Sequence, residues 1–507
     1  MSLKRNVVAN YASQIYATVV AVFMLPLYVR YLGTEAFGLV GFFAVIQGCL
    51  QLLDAGLGVT LSREVASYRA GGLSLTRLNV LLRALAAFFA GAGLLVAISV
   101  WLSSDWIATS WLRTDKLSLM LVSRCISLMG GAAVLRWFAE LYRGVIGGWE
   151  KQTWLGTYNI AIATARFVLV LPLLFVFRND PSVFFSFQLF VAAFELLVLW
   201  WKAGTFLPGV RMLPSFKIEP LRAMWRFSGA LAFCTVVWLA ITQTDKLVLS
   251  KVLPLVDYAY FAIAMTIANG VTLLAVPISN ALVPRLTYLI TQQDTEGSYR
   301  IYRDATQWVS VIIWPAAGAA AFFAEPLLLA WTQNKAIAEQ AAPVLFWYAL
   351  GNACLGVAAF QFYLQFAHGR LSLQVIGSAV FVVILIPAIL WASTNYGAVG
   401  AGRVWFTENL LYLLLWTWII HHRLAPGLHW KWLTGDVLPT ALTALTVSCV
   451  LSALATWPAN RLLAGGQLIL FGGLSLIATI FASSYMRRNA ARILRKRLSL
   501  LFANSWH

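Results

Sequence analysis

The sequence has 507 residues, of which 61% are apolar and 11% are charged, whereas a soluble domain carries about 25% charged residues. This composition excludes a soluble globular protein and predicts an integral membrane protein. The formal net charge of +18 is therefore interpreted from the positions of lysine and arginine relative to the spans, and nucleic-acid binding is not predicted.

The first apolar run, residues 7–29, follows two basic residues, Lys4 and Arg5, as the core of a signal peptide would. The run is too long for such a core, and no small-residue cleavage site precedes Arg30. We therefore predict an uncleaved first membrane span.

Fourteen apolar stretches long enough to cross a bilayer follow one another along the chain. They are predicted at residues 7–29, 34–61, 78–102, 117–148, 153–177, 181–201, 227–252, 256–290, 306–332, 338–366, 371–392, 398–420, 436–457 and 462–486. An even number of spans puts both termini on one side, and most of the 37 lysines and arginines fall in loops and span ends on that side. The positive-inside rule therefore predicts cytoplasmic termini.

A polar connection rich in proline and basic residues divides the chain into two lobes. We predict an N-terminal six-helix lobe at 1–207, a cytoplasmic connection at 208–226, a C-terminal six-helix lobe at 227–423, two additional transmembrane helices at 424–486 and a basic amphipathic tail at 487–507. The segment at 24–45 has a weak echo about 221 residues later, which supports two related lobes. The predicted fold is thus an all-α integral membrane protein with about 14 transmembrane helices in two pseudo-symmetric lobes plus two C-terminal helices.

The fourth span carries four charged residues, Arg124, Arg136, Glu140 and Arg143. An arginine at the bilayer centre costs roughly 2.5–3.5 kcal/mol on insertion scales, so each must face protein, water or an anion. On a helix, Arg136, Glu140 and Arg143 share one face, whereas Arg124 lies about 18 Å from Arg136 along the axis. Either Arg136 pairs with Glu140 while Arg143 snorkels to the interface, or Arg136 offers its donors to an anion.

Two further embedded charges, Arg166 in the fifth span and Glu195 in the sixth, lie at similar depths. They either pair across adjacent helices, which buries no net charge, or line an aqueous cavity. Asp54, which precedes Ala-Gly-Leu-Gly, either stabilises a kink or lies at a gate.

No sequence pattern indicates catalysis or metal binding. The five cysteines lie in apolar stretches without a C-x-x-C spacing, and the five histidines form no ligand pattern. No H-E-x-x-H, G-x-x-x-x-G-K-[ST] or G-x-S-x-G motif occurs. We therefore predict no metal and no other cofactor.

Three segments carry a resemblance to a known family. They are the opening N-x-x-x-N-Y-A-S pattern (Asn6, Asn10, Tyr11, Ala12, Ser13), LPLYVRYLGTEAFGLVGF, and TDKLVLSKVL-x-L-x-x-YAYFAIA. With them the chain resembles the polysaccharide flippases of the multidrug/oligosaccharidyl-lipid/polysaccharide exporter superfamily, which include the O-antigen (Wzx-type) flippases. The resemblance implies a transporter, not an enzyme, that moves undecaprenyl-diphosphate-linked oligosaccharide from the inner to the outer leaflet of a bacterial cytoplasmic membrane by alternating access.

The resemblance also implies partners and roles for the residues. A diphosphate would bind Arg136 and Arg166 first, with Arg124 and Lys246 nearer the outer ends of their spans. The coupling ion, H⁺ or Na⁺, needs an acid, and the candidates are Glu140, Glu195, Asp245, Glu408 and Asp54. Candidates for stacking on sugar are Trp137, Trp154 and Trp238. Membrane lipid, a polysaccharide polymerase and a chain-length regulator are the candidate partners.

Four other functions stay open at this point. A multidrug cation exporter of the same superfamily would need an acidic, aromatic pocket, and a lipid II flippase would share the arginine-lined cavity. A membrane-bound glycan polymerase or transferase would need a large external loop or an acidic catalytic motif. A structural scaffold would have no use for arginines in mid-membrane.

Overall fold

The structure is a computed structural model, and it describes residues 3–54, 57–177, 180–206, 237, 240–370 and 372–488. At residues 3–11, 51–54, 59, 276, 277 and 279–281 it describes the helical backbone alone. Nearly all the described residues are helical, and no β-strand occurs among them. The predicted all-α fold class is therefore confirmed.

The chain divides into two compact units, Met1–Ala259 and Tyr260–His507. The first unit contains α1 (Leu3–Leu32), α2 (Thr34–Asp54), α3 (Leu57–Arg69), α4 (Leu75–Trp106), α5 (Leu119–Gly148), α6 (Gln152–Phe167), α7 (Leu171–Val176), α8 (Pro181–Phe206), α9 (240–252) and the start of α10 (Leu255–Leu273). A π-helical turn, Ile107–Trp111, follows α4.

Among its described residues, the second unit contains the rest of α10 and further α-helices. They are α11 (Val276–Thr291), α12 (Thr295–Phe322), α13 (Ala324–Thr332), α14 (Lys335–Ala367), α15 (Ser372–Leu411), α16 (Thr417–Leu424), α17 (Leu428–Trp432), α18 (Leu438–Leu454) and α19 (Arg461–Ala482). The domain boundaries predicted from the sequence stay predictions. The predicted connection at 208–226 and the tail beyond residue 488 lie outside the described residues.

Eleven helical segments in the described part of the chain are long and apolar enough to span a membrane, which establishes a multi-pass membrane protein. One of them, Ser372–Leu424, has 53 residues and covers the predicted spans 371–392 and 398–420. It turns at Gly397, whose φ of 61° is a conformation that favours glycine. Because much of the predicted span 227–252, residues 227–236, 238 and 239, lies outside the described residues, the count of fourteen stays a prediction.

The second predicted span, 34–61, falls on two described helical stretches, with residues 55 and 56 outside the described residues. The structure ends α2 at Asp54 and begins α3 at Leu57. α3 packs tightly on α5, where a Cβ atom added to Gly144 would lie only 2.6 Å from the carbonyl oxygen of Gly58. That approach requires glycine at position 144.

In the second unit, α14 is the central helix, and a polar cluster joins α12 to the C-terminal helices. In α14, 72% of the most apolar stretch of the helix is buried, whereas in α19 only 17% of that stretch is buried. We therefore infer that α19 faces lipid. Buried Asp436 accepts hydrogen bonds from Arg303 Nε and Gln307 Nε2, both at 2.5 Å. Gln307 Oε1 in turn accepts from Ser483 Oγ at 2.6 Å, and these bonds tie the last two helices to α12.

Candidate functional site

Three helices of the first unit, α5, α6 and α8, each carry two polar residues seven positions apart. These pairs are Arg136 and Arg143, Asn159 and Arg166, and Gln188 and Glu195. Seven residues are about two helical turns, or about 10.5 Å, and return a side chain to the same face. The contacts sort them into a paired layer (Arg143, Asn159, Glu195) and an arginine layer (Arg136, Arg166, Gln188).

In the paired layer, Arg143 is surrounded by acceptors. Its Nη2 binds Glu195 Oε1 and its Nη1 donates to Asn159 Oδ1. Its Nε lies 3.2 Å from Glu140 Oε1, and the Glu140 side chain is 54% exposed. Glu195 is buried and the Arg143 side chain is 19% exposed, so the layer holds one largely buried cation against one buried acid.

This geometry overturns two of the pairings considered for the sequence. Arg143 forms the ion pair with Glu140, because the two residues lie one turn apart on α5. Arg136 instead donates a hydrogen bond to Gln188 of α8. Glu195 forms its ion pair with Arg143 rather than with Arg166, because Glu195 lies one layer away from Arg166.

In the arginine layer, the guanidinium groups have donors to spare. Arg136 Nη2 donates to Gln188 Oε1 at 2.5 Å, and the guanidinium carbon lies 5.3 Å from the centroid of the Phe43 ring. Gln188 Nε2 donates to the backbone carbonyl of Arg166 at 3.0 Å. Within the described residues, Nε and Nη1 of Arg136 and Nε of Arg166 are buried and have no hydrogen-bond partner.

The arginines also carry unbalanced charge. Arg136 and Arg166 interact electrostatically with each other and with Glu195, which already pairs with Arg143. An uncompensated cation in an apolar interior is expensive, and buried N–H groups normally have acceptors. Because planar guanidinium donors match phosphate and carboxylate geometry, the arrangement fits an anion.

The fifth span is interrupted directly after Arg166. α6 ends at Phe167 and α7 begins at Leu171, because Pro172 has no N–H to offer and its ring clashes with the carbonyl four residues earlier. The released carbonyls find side-chain donors: Gln188 reaches Arg166, and Tyr28 Oη of α1 reaches the carbonyl of Phe167 at 2.6 Å. Interrupted membrane helices of this kind occur where the backbone lines a site or a cavity.

A cavity of about 220 Å³ adjoins both layers. Its lining comes from α1, α5 and α6: Ser13, Gln14, Ala17, Arg143, Asn159, Ile162, Ala163, Arg166 and Phe167. The polar groups are hydroxyl, amide and guanidinium, and none of these lining residues is acidic. The cavity therefore suits an anionic or neutral polar ligand better than a cation. Over the described residues, no cluster of three His, Cys, Asp or Glu side chains suits a metal ion.

The other two predicted anion-binding residues lie apart from this cavity. Arg124 is exposed, twelve residues before Arg136 on α5 and therefore about 18 Å away along the axis. Lys246 of α9 donates from Nζ to the carbonyl of Thr242. The structure thus brings Arg136 and Arg166 together, while anion binding by Arg124 and Lys246 stays a prediction.

The acids predicted for ion coupling have different surroundings. Glu408 on α15 is buried, and both its carboxylate oxygens lack a hydrogen-bond partner among the described residues. Arg403, five residues before Glu408 on the same helix, is exposed and lies over the Trp347 ring at 5.8 Å. Asp245 is buried and accepts the backbone N–H of Lys246 at 2.8 Å. The side chain of Asp54 lies outside the described residues.

The three tryptophans predicted to stack on sugar are not gathered at the cavity. Trp137 is buried and stacks on Phe89 with ring centroids 4.4 Å apart. Trp154 stacks on Tyr158 at 5.0 Å. Trp238 lies outside the described residues, and the stacking role of all three stays a prediction.

Sequence reasoning missed three polar residues of the site, Gln188, Asn159 and Tyr28. The signal for two of them was present, because Gln188 precedes Glu195 by seven residues and Asn159 precedes Arg166 by seven. A shared helical face inside an apolar span is the pattern that would have found them. Tyr28 gave no such signal, because its role depends on the break in another helix.

Comparison with known proteins places these features in a family and a fold. A family model described as "Polysaccharide biosynthesis protein" matches residues 3–290. No curated protein sequence matches the chain.

Solved structures give the fold. The chain is similar to a structure titled "Lipid II flippase MurJ, inward closed conformation", with a TM-score of 0.76 and 13% identity over 93% of this chain and 98% of that one. It is also similar to an inward-facing multidrug resistance MATE family transporter of the MOP superfamily, with a TM-score of 0.64 and 15% identity over 82% of this chain and 96% of that one. A Vibrio cholerae MATE transporter, VcmN in the bent form, gives a TM-score of 0.50 and 13% identity over 83% and 99%. At these identities the likeness shows the fold alone.

Proposed function

This chain belongs to the polysaccharide biosynthesis protein family, a flippase family of the MOP superfamily, and from that premise we propose that it flips undecaprenyl-diphosphate-linked oligosaccharide. The protein is a transporter and not an enzyme. Its substrate would be a repeat unit of O-antigen or of another surface polysaccharide, carried from the inner to the outer leaflet of the bacterial cytoplasmic membrane. A polysaccharide polymerase and a chain-length regulator remain its candidate partners.

The observation that carries this proposal is the arginine layer. Arg136 and Arg166 hold three buried N–H groups without acceptors in the described part of the chain. A diphosphate leaving water loses strong hydration, and guanidinium donors replace that hydration with charge-assisted hydrogen bonds. An anion held by the two arginines would also neutralise their mutual repulsion.

The interruption of the fifth span supports movement at the same place. The chain lacks regular helical hydrogen bonding between α6 and α7, and the break lies next to Arg166. A bend at this point would reposition Arg166 relative to Arg136 while Gln188 follows its carbonyl. Alternating access would use such a change to release the diphosphate on the opposite side.

Two alternatives fit the observations less well. A multidrug cation exporter needs acidic lining, whereas the cavity carries arginine and no acid among its described lining residues. A lipid II flippase would use the same diphosphate chemistry and would differ in the saccharide, so a genetic test has to separate the two.

Complementation provides that test. Deletion of the gene should abolish surface polysaccharide and accumulate lipid-linked repeat units in the inner leaflet, with cell-wall synthesis unaffected. Wild type should restore the polysaccharide, whereas Arg136→Gln and Arg166→Gln, expressed at equal level, should not. Arg403→Gln removes an exposed arginine and is the matched control. Unchanged polysaccharide in a deletion strain without a second flippase would refute the proposal, and arrested cell-wall synthesis would favour lipid II.

For ion coupling we propose Glu408, because both of its buried oxygens lack partners in the described structure. Binding H⁺ or Na⁺ would remove the cost of this isolated charge and bias the transporter towards one state. In proteoliposomes with an imposed pH or sodium gradient, Glu408→Gln should abolish the acceleration by the gradient and leave diphosphate binding within twofold of wild type. Gradient-driven transport by the variant at the wild-type rate would exclude Glu408 as the coupling residue.

A further inference from the structure

A second positively charged region of the first unit lies at the membrane face predicted to be cytoplasmic. There the ends of α3, α5 and α8 and the start of α6 bring three cations onto neighbouring aromatic rings. We define this basic aromatic cluster as Arg69, Lys151, Lys202, Trp149, Trp154 and Phe206.

The two lysines of the cluster share one ring. Lys202 Nζ lies 5.1 Å from the centroid of Phe206 and 5.4 Å from that of Trp154, while Lys151 Nζ lies 5.8 Å from the same Phe206 centroid. Cation–π attraction holds each ammonium near the rings, but the two like charges repel each other. The described residues provide no ion-pair partner for either lysine.

The third cation is already satisfied. Arg69 Nη1 donates to the carbonyl of Gly148 at 3.0 Å and lies 3.8 Å from Glu150, whose side chain is 72% exposed. Trp149 stacks on Phe206 with centroids 5.9 Å apart, and its buried indole N–H has no acceptor among the described residues. Two lysines and one indole donor are therefore left for a ligand, and all three favour an anion.

An apolar stripe on α8 leads away from the cluster. Phe190, Phe194, Leu197 and Trp201 are 66%, 52%, 60% and 62% exposed, and their spacing of four, three and four residues places them on one face. The stripe is about 16.5 Å long at 1.5 Å per residue. That length is about half of a hydrocarbon core that is roughly 30 Å thick, so the stripe spans one leaflet.

We propose that the basic aromatic cluster and the α8 stripe together bind one anionic phospholipid of the inner leaflet. The headgroup phosphate lies between Lys151 and Lys202 within reach of Trp149, and an acyl chain runs along the stripe. The stripe matches an acyl chain confined to one leaflet, whereas an undecaprenyl chain is much longer. This site is independent of the arginine layer and does not rest on the proposed transport function.

Native mass spectrometry of the full-length protein in mild detergent tests the site. Dioleoyl-phosphatidylglycerol is the anionic probe and dioleoyl-phosphatidylcholine is the neutral comparison. Since each lysine near a phosphate contributes about 1 kcal/mol, we expect Lys151→Gln and Lys202→Gln each to weaken the first bound phosphatidylglycerol about fivefold, and the double variant about 25-fold. The Lys151→Arg/Lys202→Arg variant should retain binding.

The control carries the same change of charge elsewhere. Lys335→Gln/Lys431→Gln removes two exposed lysines outside the cluster and should bind phosphatidylglycerol like wild type. Equal binding of the two phospholipids by wild type, or equal loss in the control, would overturn the proposal. An undecaprenyl diphosphate probe that binds more tightly than phosphatidylglycerol, and depends on Lys151 and Lys202, would also overturn it and assign the site to substrate.

Discussion

The paired layer and the arginine layer are built from the same three helices, two turns apart, yet they leave their arginines in opposite states. In the paired layer α8 contributes an acid, Glu195, which holds Arg143. In the arginine layer the same helix contributes an amide, Gln188, which accepts one hydrogen bond from Arg136 and carries no charge. An acid on α8 therefore pairs with its arginine and gives that arginine a structural role, whereas an amide on α8 leaves the arginine able to bind an anion.

The largest effect should follow from removing the arginine layer. Arg136→Gln/Arg166→Gln eliminates the donors left for an anion, and each charge-assisted contact contributes roughly 2 kcal/mol. We expect the affinity for inorganic diphosphate, measured by calorimetry on the purified protein at low salt, to fall about 1,000-fold. The thermal midpoint should change little, because the variant loses one hydrogen bond, from Arg136 Nη2 to Gln188, and also removes buried N–H groups that had no acceptors. An unchanged affinity would show that the layer does not bind the diphosphate.

The next effect should follow from making the paired layer resemble the arginine layer. Glu195→Gln leaves the largely buried Arg143 without its main counter-charge, and breaking a buried ion pair costs about 3 kcal/mol or more of unfolding free energy. A lower thermal midpoint should accompany a diphosphate affinity no weaker than that of wild type. Glu339→Gln, which breaks an exposed pair with Lys335, is the control and should leave the midpoint almost unchanged. A stable Glu195→Gln protein would contradict the assignment of a structural role.

The smallest effect should follow from the reverse exchange. Gln188→Glu gives Arg136 an acid and should weaken diphosphate binding about tenfold, because an internal carboxylate competes with the ligand. Gln188→Leu leaves the net charge unchanged but removes the two hydrogen bonds that connect Arg136 to the Arg166 carbonyl. It should weaken diphosphate binding about threefold. Gln467→Leu, which removes an amide of α19 that donates to the backbone carbonyl of Thr456, is the matched control. Tighter binding by Gln188→Glu would refute this account of the two layers.

The fold class could be predicted from the sequence because it depends on the length of each apolar run and on the positions of the charged residues. Both can be read locally along the chain. Arg136 and Arg166 could be selected as candidates because charge in mid-membrane is rare. The sequence did not predict which charged residues pair, since pairing depends on how deep each residue lies in helices that run in opposite directions. Glu195 lies level with Arg143 and not with Arg166. The apolar run continues through Pro172, so hydropathy alone did not predict the interruption after Arg166.

The turn at Gly397 has a consequence for how the protein enters the membrane. No charged residue occurs from Ser372 to Gly402, and the turn leaves no polar loop between the two apolar helical runs on either side. The insertion machinery therefore has no hydrophilic segment to carry across the bilayer at this point. The two runs should leave the translocon together, as one preformed helical hairpin. The turn at Gly397 should already have formed when the second run leaves the ribosome.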